Sequence, residues 1–226
     1  MNRTHWFLHA ILIWGLILPT TSSAQLAIGA KFGGGVASVQ AENINLPGIP
    51  GVIFSWEAGL IAQKSLTERW ALQPELSYIR KGYEAAEQQP AFGRFIVDAD
   101  IITDYLELDL NAKFFLTNKQ DVGWYLIGGP YVGYILNGAF QGEQGFVGLS
   151  SPFKEELTYG ENGISRFDLG VNVGLGGQFD LGRPWFFAEL RYSQGLININ
   201  NVGEGSIRNY AFLAQFGWII YLEGDK

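Results

Sequence analysis

The amino-acid sequence predicts an all-β fold: an eight-stranded antiparallel transmembrane β-barrel, built as an up-and-down meander, with a filled polar interior. Three observations predict it. Apolar and polar residues alternate with period two in eight segments of the chain. The connections between these segments are alternately short and long, and aromatic residues gather near both ends of the segments. Only 16% of the residues are charged, whereas about a quarter is usual for a soluble domain.

The N-terminal segment predicts export from the cytoplasm. Arg3 precedes a nearly continuous apolar run at 7–18, and a group of small residues ending at Ala24 follows it. This order is typical of a secretory signal peptide. A membrane-spanning anchor is the alternative, but a helical span needs about 20 apolar residues and this run is shorter. We therefore predict a cleaved signal peptide at residues 1–24 and an outer-membrane β-barrel domain at residues 25–226.

The composition of the predicted barrel domain excludes several classes of function. Met1, His5 and His9 are the only methionine and histidines of the chain, which also contains no cysteine. Thiolate and imidazole metal sites are therefore impossible in residues 25–226, as are Ser-His-Asp and Cys-His nucleophile systems. We expect no cofactor and no metal site. Acidic residues outnumber Lys and Arg by 22 to 15 and no basic cluster occurs, so we expect no nucleic-acid partner.

The alternation that predicts the strands is clearest in three segments. From Phe167 to Phe179, apolar residues occupy one face while the other face carries glycine and polar residues. Residues 106–114 and 54–62 show the same pattern. A further segment is apolar on both faces, so its orientation is left open. The eight predicted strands lie near residues 26–38, 53–64, 70–82, 103–116, 123–137, 165–180, 185–197 and 208–222.

The lengths of the connections predict the orientation in the membrane. Tight periplasmic turns and long extracellular loops are typical of outer-membrane barrels, so both termini are predicted to lie in the periplasm. Pro74 and Pro130 fall inside predicted strands, where proline removes a ladder donor, and they predict bulges or local edge defects. The predicted short turns are 65–69, 117–122 and 181–184, and the predicted long loops are 39–52, 83–102, 138–164 and 198–207.

The apolar face of the strands is predicted to contact lipid and the polar face to line the interior. The polar face is rich in glycine, which suits the narrow interior of an eight-stranded barrel. A soluble barrel with an apolar interior is the alternative, but two separate bands of aromatic residues are typical of the two membrane interfaces. The residues expected in these aromatic girdles are Trp56, Trp70, Tyr78, Tyr105, Trp124, Trp185, Tyr192 and Trp218.

Five short motifs follow one another along the chain, at 70–78, 104–108, 129–134, 167–170 and 188–196. In this order and spacing they resemble the PorT-like outer-membrane β-barrel family of Gram-negative bacteria. The resemblance covers essentially all of the predicted barrel domain and implies a small outer-membrane barrel. The name-giving members assist secretion of proteins across the outer membrane, so the resemblance also implies a secretion-accessory role as one option.

Ionisable residues on the predicted inward face are the candidate functional residues. Glu107 and Asp109 are neighbours on one strand face, and a carboxylate pair of this kind could perform acid–base catalysis, as in glycosidases. A structural ion-pair network is the alternative, since buried charges are costly unless they are paired. We expect the network, with no catalytic residue. Its predicted members are Lys31, Glu57, Glu75, Lys81, Glu107, Asp109, Lys113, Asp168, Glu189 and Arg191.

The sequence therefore predicts a non-enzymatic protein of the Gram-negative outer membrane. Its role would be structural, adhesive or secretion-accessory and would be carried out by extracellular loops or periplasmic turns. A small passive pore and a carboxylate-dependent outer-membrane enzyme are the alternatives. The expected partners are outer-membrane lipid, lipopolysaccharide and an envelope or secretion-machinery protein. The long loops are acidic, which indicates either a solvated surface or the binding of divalent cations that bridge lipopolysaccharide.

Overall fold

The computed structural model describes residues 25–44, 50–85, 95–117, 122–146, 149–161 and 163–222. The predicted signal peptide lies outside these residues. No helix in the described ranges is long and apolar enough to cross a membrane. The described ranges form nine strands: β1 (Leu26–Glu42), β2 (Ile53–Ser65), β3 (Trp70–Glu84), β4 (Phe95–Phe115), β5 (Val122–Phe146), β6 (Leu149–Glu156), β7 (Phe167–Phe179), β8 (Trp185–Gly195) and β9 (Ser206–Tyr221).

Eight of these strands form a closed antiparallel ring. Each strand pairs with the next along the chain, except that β5 pairs with β7 because β6 lies outside the ring. The first and last strands close the ring along their whole length, from Ala27 opposite Tyr221 to Glu42 opposite Ser206. Closure leaves no unpaired edge in the ring, which is the condition for a sheet to cross a hydrocarbon layer. The prediction of an all-β, eight-stranded antiparallel meander is confirmed.

The two ends of the ring differ in the length of their connections. We call the end with connections 66–69, 116–121 and 180–184 the short-turn end. The opposite end, which carries the connections between β1 and β2, β3 and β4, β5 and β7, and β8 and β9, is the loop end. Among the described residues, the sheet extends beyond the ring at the loop end and not at the short-turn end. The two ends of the barrel therefore differ in the amount of structure that extends beyond the ring.

The prediction of long irregular loops at 83–102 and 138–164 is wrong in part. The structure instead continues β4 and β5 as a paired ladder from Thr103 opposite Gly138 out to Phe95 opposite Gly145, and β6 folds back on β5. The rings of Phe140 and Phe153 contact each other edge to face across the β5–β6 pair, with centroids 5.1 Å apart. Strands outside a membrane need no apolar face, so this extension carries no regular alternation that could have revealed it.

The pairing of strands is interrupted near each of the two prolines, but the register of the strands does not change. Between β2 and β3 the ladder stops near Pro74 and resumes in the same register, and the same occurs between β4 and β5 near Pro130. The prediction of local defects is therefore confirmed, while the prediction of bulges is wrong at these positions. The register shift in this part of β5 falls instead at Leu136, where Asp104 pairs with Asn137 and Tyr105 with Ile135.

The two faces of the sheet have opposite chemistry. Large apolar side chains point outward, and Phe32 and Leu60 are each 65% exposed. Charged, amide and tyrosine side chains point inward and are almost fully buried. The open orientation of β5 is now defined, since Trp124 and Val132 face outward and Tyr131 faces inward. A surface of this size covered by apolar side chains requires an apolar solvent around it.

Six of the eight residues predicted for the aromatic girdles lie on the outward face, and two do not. Tyr105 is fully buried in the interior. It lies two residues before Glu107 on β4, and side chains two residues apart on a strand point to the same face. Trp185 shares the face of Phe187 and packs from the short-turn end against the interior cluster around that ring. The prediction is wrong for these two residues. The six outward residues are Trp56, Trp70, Tyr78, Trp124, Tyr192 and Trp218.

Interior glycines make room for interior aromatic rings. Tyr125 pairs with Gly176, where a Cβ would lie 2.7 Å from the tyrosine ring. Phe187 pairs in the same way with Gly217, where a Cβ would lie 2.5 Å from the phenylalanine ring. A ring can therefore lie flat across the neighbouring strand inside a barrel that is only wide enough for side chains. This is why glycine is frequent on the inward face.

Candidate functional site

The ten predicted interior residues converge from six strands. Their side chains lie on the inward faces of β1, β2, β3, β4, β7 and β8, and each residue is at most 4% exposed. Alternation alone brings them together, because every second residue of a strand points to the same side of the sheet. Ionisable groups in such a place must find partners within the barrel.

Arg191 is the centre of the largest cluster. Its guanidinium donates two hydrogen bonds to Glu75, at 2.8 Å and 2.9 Å, and its Nε donates to Glu189 at 2.7 Å. Lys31 Nζ lies 2.5 Å from Glu75 Oε2, which also binds Arg191, and 2.8 Å from Glu57 Oε1. Two cations thus hold three carboxylates together. The two-pronged Arg191–Glu75 contact fixes β8 against β3 across the lumen.

Neutral side chains add further hydrogen bonds to this cluster. Asn111 and Gln73 donate to the same oxygen of Glu75 at 2.9 Å and 2.7 Å. The hydroxyl of Tyr125 donates to Glu189 at 3.0 Å. Buried carboxylates need such donors to replace the water they lose.

A second cluster lies nearer the loop end. Lys81 Nζ is 2.6 Å from Glu107 Oε2 and sits 4.1 Å above the ring of Tyr131. Asn209 donates to Asp168 and to the hydroxyl of Tyr105, both at 2.9 Å. Near the short-turn end, Lys113 donates to Gln63 and lies over two aromatic rings.

Carboxyl groups outnumber cations in the interior. Among the ten residues, four are Lys or Arg and six are Asp or Glu. The sequence predicted an ion-pair network, and the structure adds neutral donors that serve the extra carboxyl groups. Asn172 donates to Asp109, and Asn209 with Tyr131 serves Asp168. Amide and phenol donors therefore replace two of the cations that full pairing would need.

Glu107 and Asp109 do not act as a carboxylate pair in the structure. Glu107 is held by Lys81, whereas Asp109 accepts a hydrogen bond from Asn172 on β7. The hydroxyl of Ser193 donates to Asn172 in turn at 2.5 Å. Each carboxyl group is thus oriented by its own neighbours.

The residues predicted for the network were all ionisable, and its neutral members were not predicted. Tyrosines and amides occupy the same inward positions as the charged residues and bind them directly. For the members on β2, β3, β4 and β7 the signal was available, because each has the strand parity of a charged residue on the same strand. Tyrosines on β5 were hidden by the apolar character of both faces of that strand. The missed residues are Gln63, Gln73, Tyr105, Asn111, Tyr125, Tyr131, Asn172 and Asn209.

The outer surface near the loop end carries a polar recess. Arg80 pairs with Asp104 at 2.8 Å, and Arg166 lies 4.0 Å above the ring of Tyr159. Burial raises the pKa of the Tyr159 hydroxyl, and nearby Arg166 opposes this shift. In the described ranges, no group of three or more acidic side chains is placed to hold a metal ion.

Residues 21–201 match the family described as outer membrane protein beta-barrel domain, and the chain belongs to this family. No curated protein sequence matches the chain.

Solved structures with a similar fold include Ail of Yersinia pestis in complex with the heparin analogue sucrose octasulfate (13% identity, 87% of this chain and 99% of that chain, TM-score 0.41). OprG of Pseudomonas aeruginosa is 14% identical over 88% of this chain and 97% of that chain, with a TM-score of 0.47. The protease OmpT of Escherichia coli is 11% identical over 92% of this chain and 99% of that chain, with a TM-score of 0.48. One barrel fold can host many different roles, so the fold alone does not define a role.

Proposed function

We propose that this protein is a non-enzymatic outer-membrane barrel of a Gram-negative bacterium that presents a recognition surface at its loop end. In this proposal the loop end faces the exterior, and the short turns and both termini lie in the periplasm. The observation that carries it is that, within the part of the chain that the structure describes, the sheet extends beyond the ring at the loop end and not at the short-turn end. The short turns have too few residues to form a comparable surface.

The filled interior supports a role outside the lumen. The Arg191–Glu75 contact crosses the barrel from β8 to β3, and Lys31 on β1 joins it. Eight strands leave an interior that side chains can fill completely, and here charged and aromatic side chains occupy it. We therefore favour recognition over conduction, although the sequence left a small passive pore as an alternative.

The separate partners of Glu107 and Asp109 favour a non-enzymatic role. An acid–base pair needs one proton donor and one acceptor directed at the same substrate. Glu107 is instead directed at Lys81, and Asp109 at Asn172. Both carboxyl groups lie inside a filled ring that a polymeric substrate could not enter.

The exposed surface of the loop end is acidic, and this chemistry defines the partner that would fit it. Glu143, Glu155 and Glu156 are exposed on the β5–β6 hairpin, next to Lys154. We propose a protein partner with a basic surface, since opposite charge raises the rate of encounter. Lipopolysaccharide bound through divalent cations is the other partner that this chemistry would admit.

The resemblance to the PorT-like family favours a secretion-accessory form of the same proposal. In that form the partner would be a component of a secretion machine in the envelope rather than an external surface. The two forms differ in where contact occurs. Contact at the loop end supports recognition outside the cell, and contact at the short-turn end supports a secretion-accessory role.

Single cysteine residues test the proposed orientation without background, because the chain contains no cysteine. A cysteine replacing Gln141 on the β5–β6 hairpin should react with a membrane-impermeant maleimide in intact cells. A cysteine replacing Arg69 in a short turn should react only after the outer membrane is permeabilised. The reverse pattern would place the loop end in the periplasm and refute the orientation.

Photo-cross-linking then tests the role itself. A photoreactive residue replacing Gln141 should give one discrete protein adduct in intact cells, and the same residue at Arg69 should give none. Shortening the β5–β6 hairpin should abolish the adduct and the associated phenotype while leaving the folded barrel intact. A phenotype that survives this deletion, or an adduct formed only from Arg69, would overturn the recognition role.

A further inference from the structure

A small apolar cavity lies in the mouth of the barrel at the loop end. It has a volume of about 280 Å³ and sits above Asn209 and Thr103, which mark the top of the interior polar network. Its walls come from inward-facing residues of the strands, including Val39 and Ile101. The connections that follow β6 and β8 cover it, through Ile164 and Ile199.

The cover of the cavity is a built structure. The backbone of Ser165 donates to Ile199 at 2.8 Å, and the backbone of Asn201 donates to Gly163 at 3.1 Å. Ile164 also forms an antiparallel bridge with Asn200. The connection between β6 and β7 is thus hydrogen-bonded to the connection between β8 and β9 above the lumen. Hydrogen bonding of this kind holds a cavity open in one shape rather than letting the loops collapse into it.

The lining of the cavity is uncharged, in contrast to its surroundings. None of the described residues that line it is Asp, Glu, Lys or Arg, although the loop end carries many exposed carboxylates. Val39, Ile101, Leu157, Ile164, Ile199 and Ile207 supply apolar surface. An apolar cavity gives water few hydrogen-bond partners and favours a molecule with an apolar body. A charged molecule would lose its hydration there without finding a counter-charge.

One polar group in the lining has no partner. Tyr83 is only 6% exposed, and its hydroxyl makes no hydrogen bond with any described residue. The nearby hydroxyl of Thr103 is already used, because it donates to the backbone oxygen of Lys81 at 3.1 Å. The Tyr83 hydroxyl is therefore free to form a hydrogen bond with a molecule in the cavity.

We propose that this cavity binds a small neutral amphiphile, with its apolar body against the isoleucine side chains and one polar group hydrogen-bonded to Tyr83. The occupant is an uncharged molecule of about the size of a substituted phenol or a medium-chain alcohol. This site goes beyond the recognition role proposed above and does not depend on it, since it lies beneath the loops rather than on their outer surface.

Methyl NMR of the full barrel in lipid nanodiscs tests the proposal with 4-ethylphenol as the probe. The protein is labelled at its isoleucine δ1 methyl groups. Titration should give saturable shifts at Ile101, Ile164 and Ile199, which line the cavity. Ile28 and Ile220 face outward and report on probe dissolved in the lipid. They should shift linearly, without saturation.

Two variants and one analogue complete the test. Tyr83→Phe should weaken binding about five-fold, as expected for the loss of one hydrogen bond. Ile199→Trp should fill the cavity and abolish the saturable shifts, while Ile220→Trp on the outward face should leave them unchanged. The charged analogue 4-ethylbenzoate should not bind. Equal, non-saturating shifts at all five methyl groups, or binding unchanged by Ile199→Trp in a folded protein, would overturn the proposal.

Discussion

Replacement of Arg191 by methionine should destabilise the barrel far more than replacement of any outward-facing arginine. Methionine keeps much of the side-chain length but removes the charge. In the structure Arg191 binds Glu75 with two hydrogen bonds and Glu189 with two close contacts, all at 2.5–2.9 Å. Without it, Lys31 remains in contact with Glu57 and Glu75, and Glu189 loses both of its contacts with Arg191.

The magnitude follows from burial. Removing one partner of a buried ion pair costs about 3–5 kcal/mol, because the other charge stays buried without compensation. Arg191 serves two carboxylates, so we expect the upper half of that range. The matched control is Arg80→Met, whose side chain is 35% exposed and pairs with Asp104 on the outer face. An exposed pair contributes about 0–1 kcal/mol.

Urea unfolding of the barrel in phospholipid vesicles measures both free energies, with tryptophan fluorescence as the signal. If Arg191→Met does not fold, Arg191→Lys provides a second measurement, since it keeps the charge but loses the two-pronged contact. It should lie between wild type and Arg191→Met in folding yield. Equal unfolding free energies for Arg191→Met and Arg80→Met would show that the interior network does not stabilise the barrel, and the reasoning would fail.

Three further predictions follow from the same structure. The unheated protein should migrate differently from the boiled protein on a denaturing gel, because a closed barrel unfolds slowly; identical mobility would contradict closure. Gly176→Ala should lower the unfolding free energy, because its Cβ would lie 2.7 Å from the Tyr125 ring, whereas Gly34→Ala has space and should be tolerated. The double variant Glu107→Gln/Asp109→Asn should keep the cellular phenotype of the wild type if the barrel still folds, and a lost phenotype in a folded barrel would indicate catalysis.

Much of the ring could be predicted from the sequence, because one side of each strand meets lipid and the other meets the interior. That requirement imposes period two on the residues of β2, β4 and β7, and the periodicity gave the bounds of β2 and β7 and the C-terminal end of β4 within a few residues. The ten ionisable residues were placed by the same parity, since a charge on the lipid face of a strand is costly.

The features that the sequence did not predict lie where this requirement is absent. The β5–β6 extension stands outside the ring and has no face that must meet lipid, so its residues alternate weakly. Tyr105 and Tyr125 are amphipathic and suit either a girdle or a polar interior, and only strand parity distinguishes the two. The amides that donate hydrogen bonds to the excess carboxyl groups could not be predicted, because those contacts depend on three-dimensional position.

The cavity beneath the loops could not be predicted either. Its apolar residues come from five separate parts of the chain, and no local pattern relates Val39 to Ile164 or Ile199. Only the closure of the ring and the hydrogen bonds between two connections bring them together.

Electrical recording in a planar lipid bilayer tests most directly the claim that this protein acts from its loop end and not through its lumen. The refolded wild-type barrel should give no stable conductance steps, because Arg191, Glu75 and their neighbours fill the interior. A wide porin inserted in the same bilayer provides the positive control. Reproducible, long-lived steps from the wild-type protein would contradict the filled interior and would favour a passive pore.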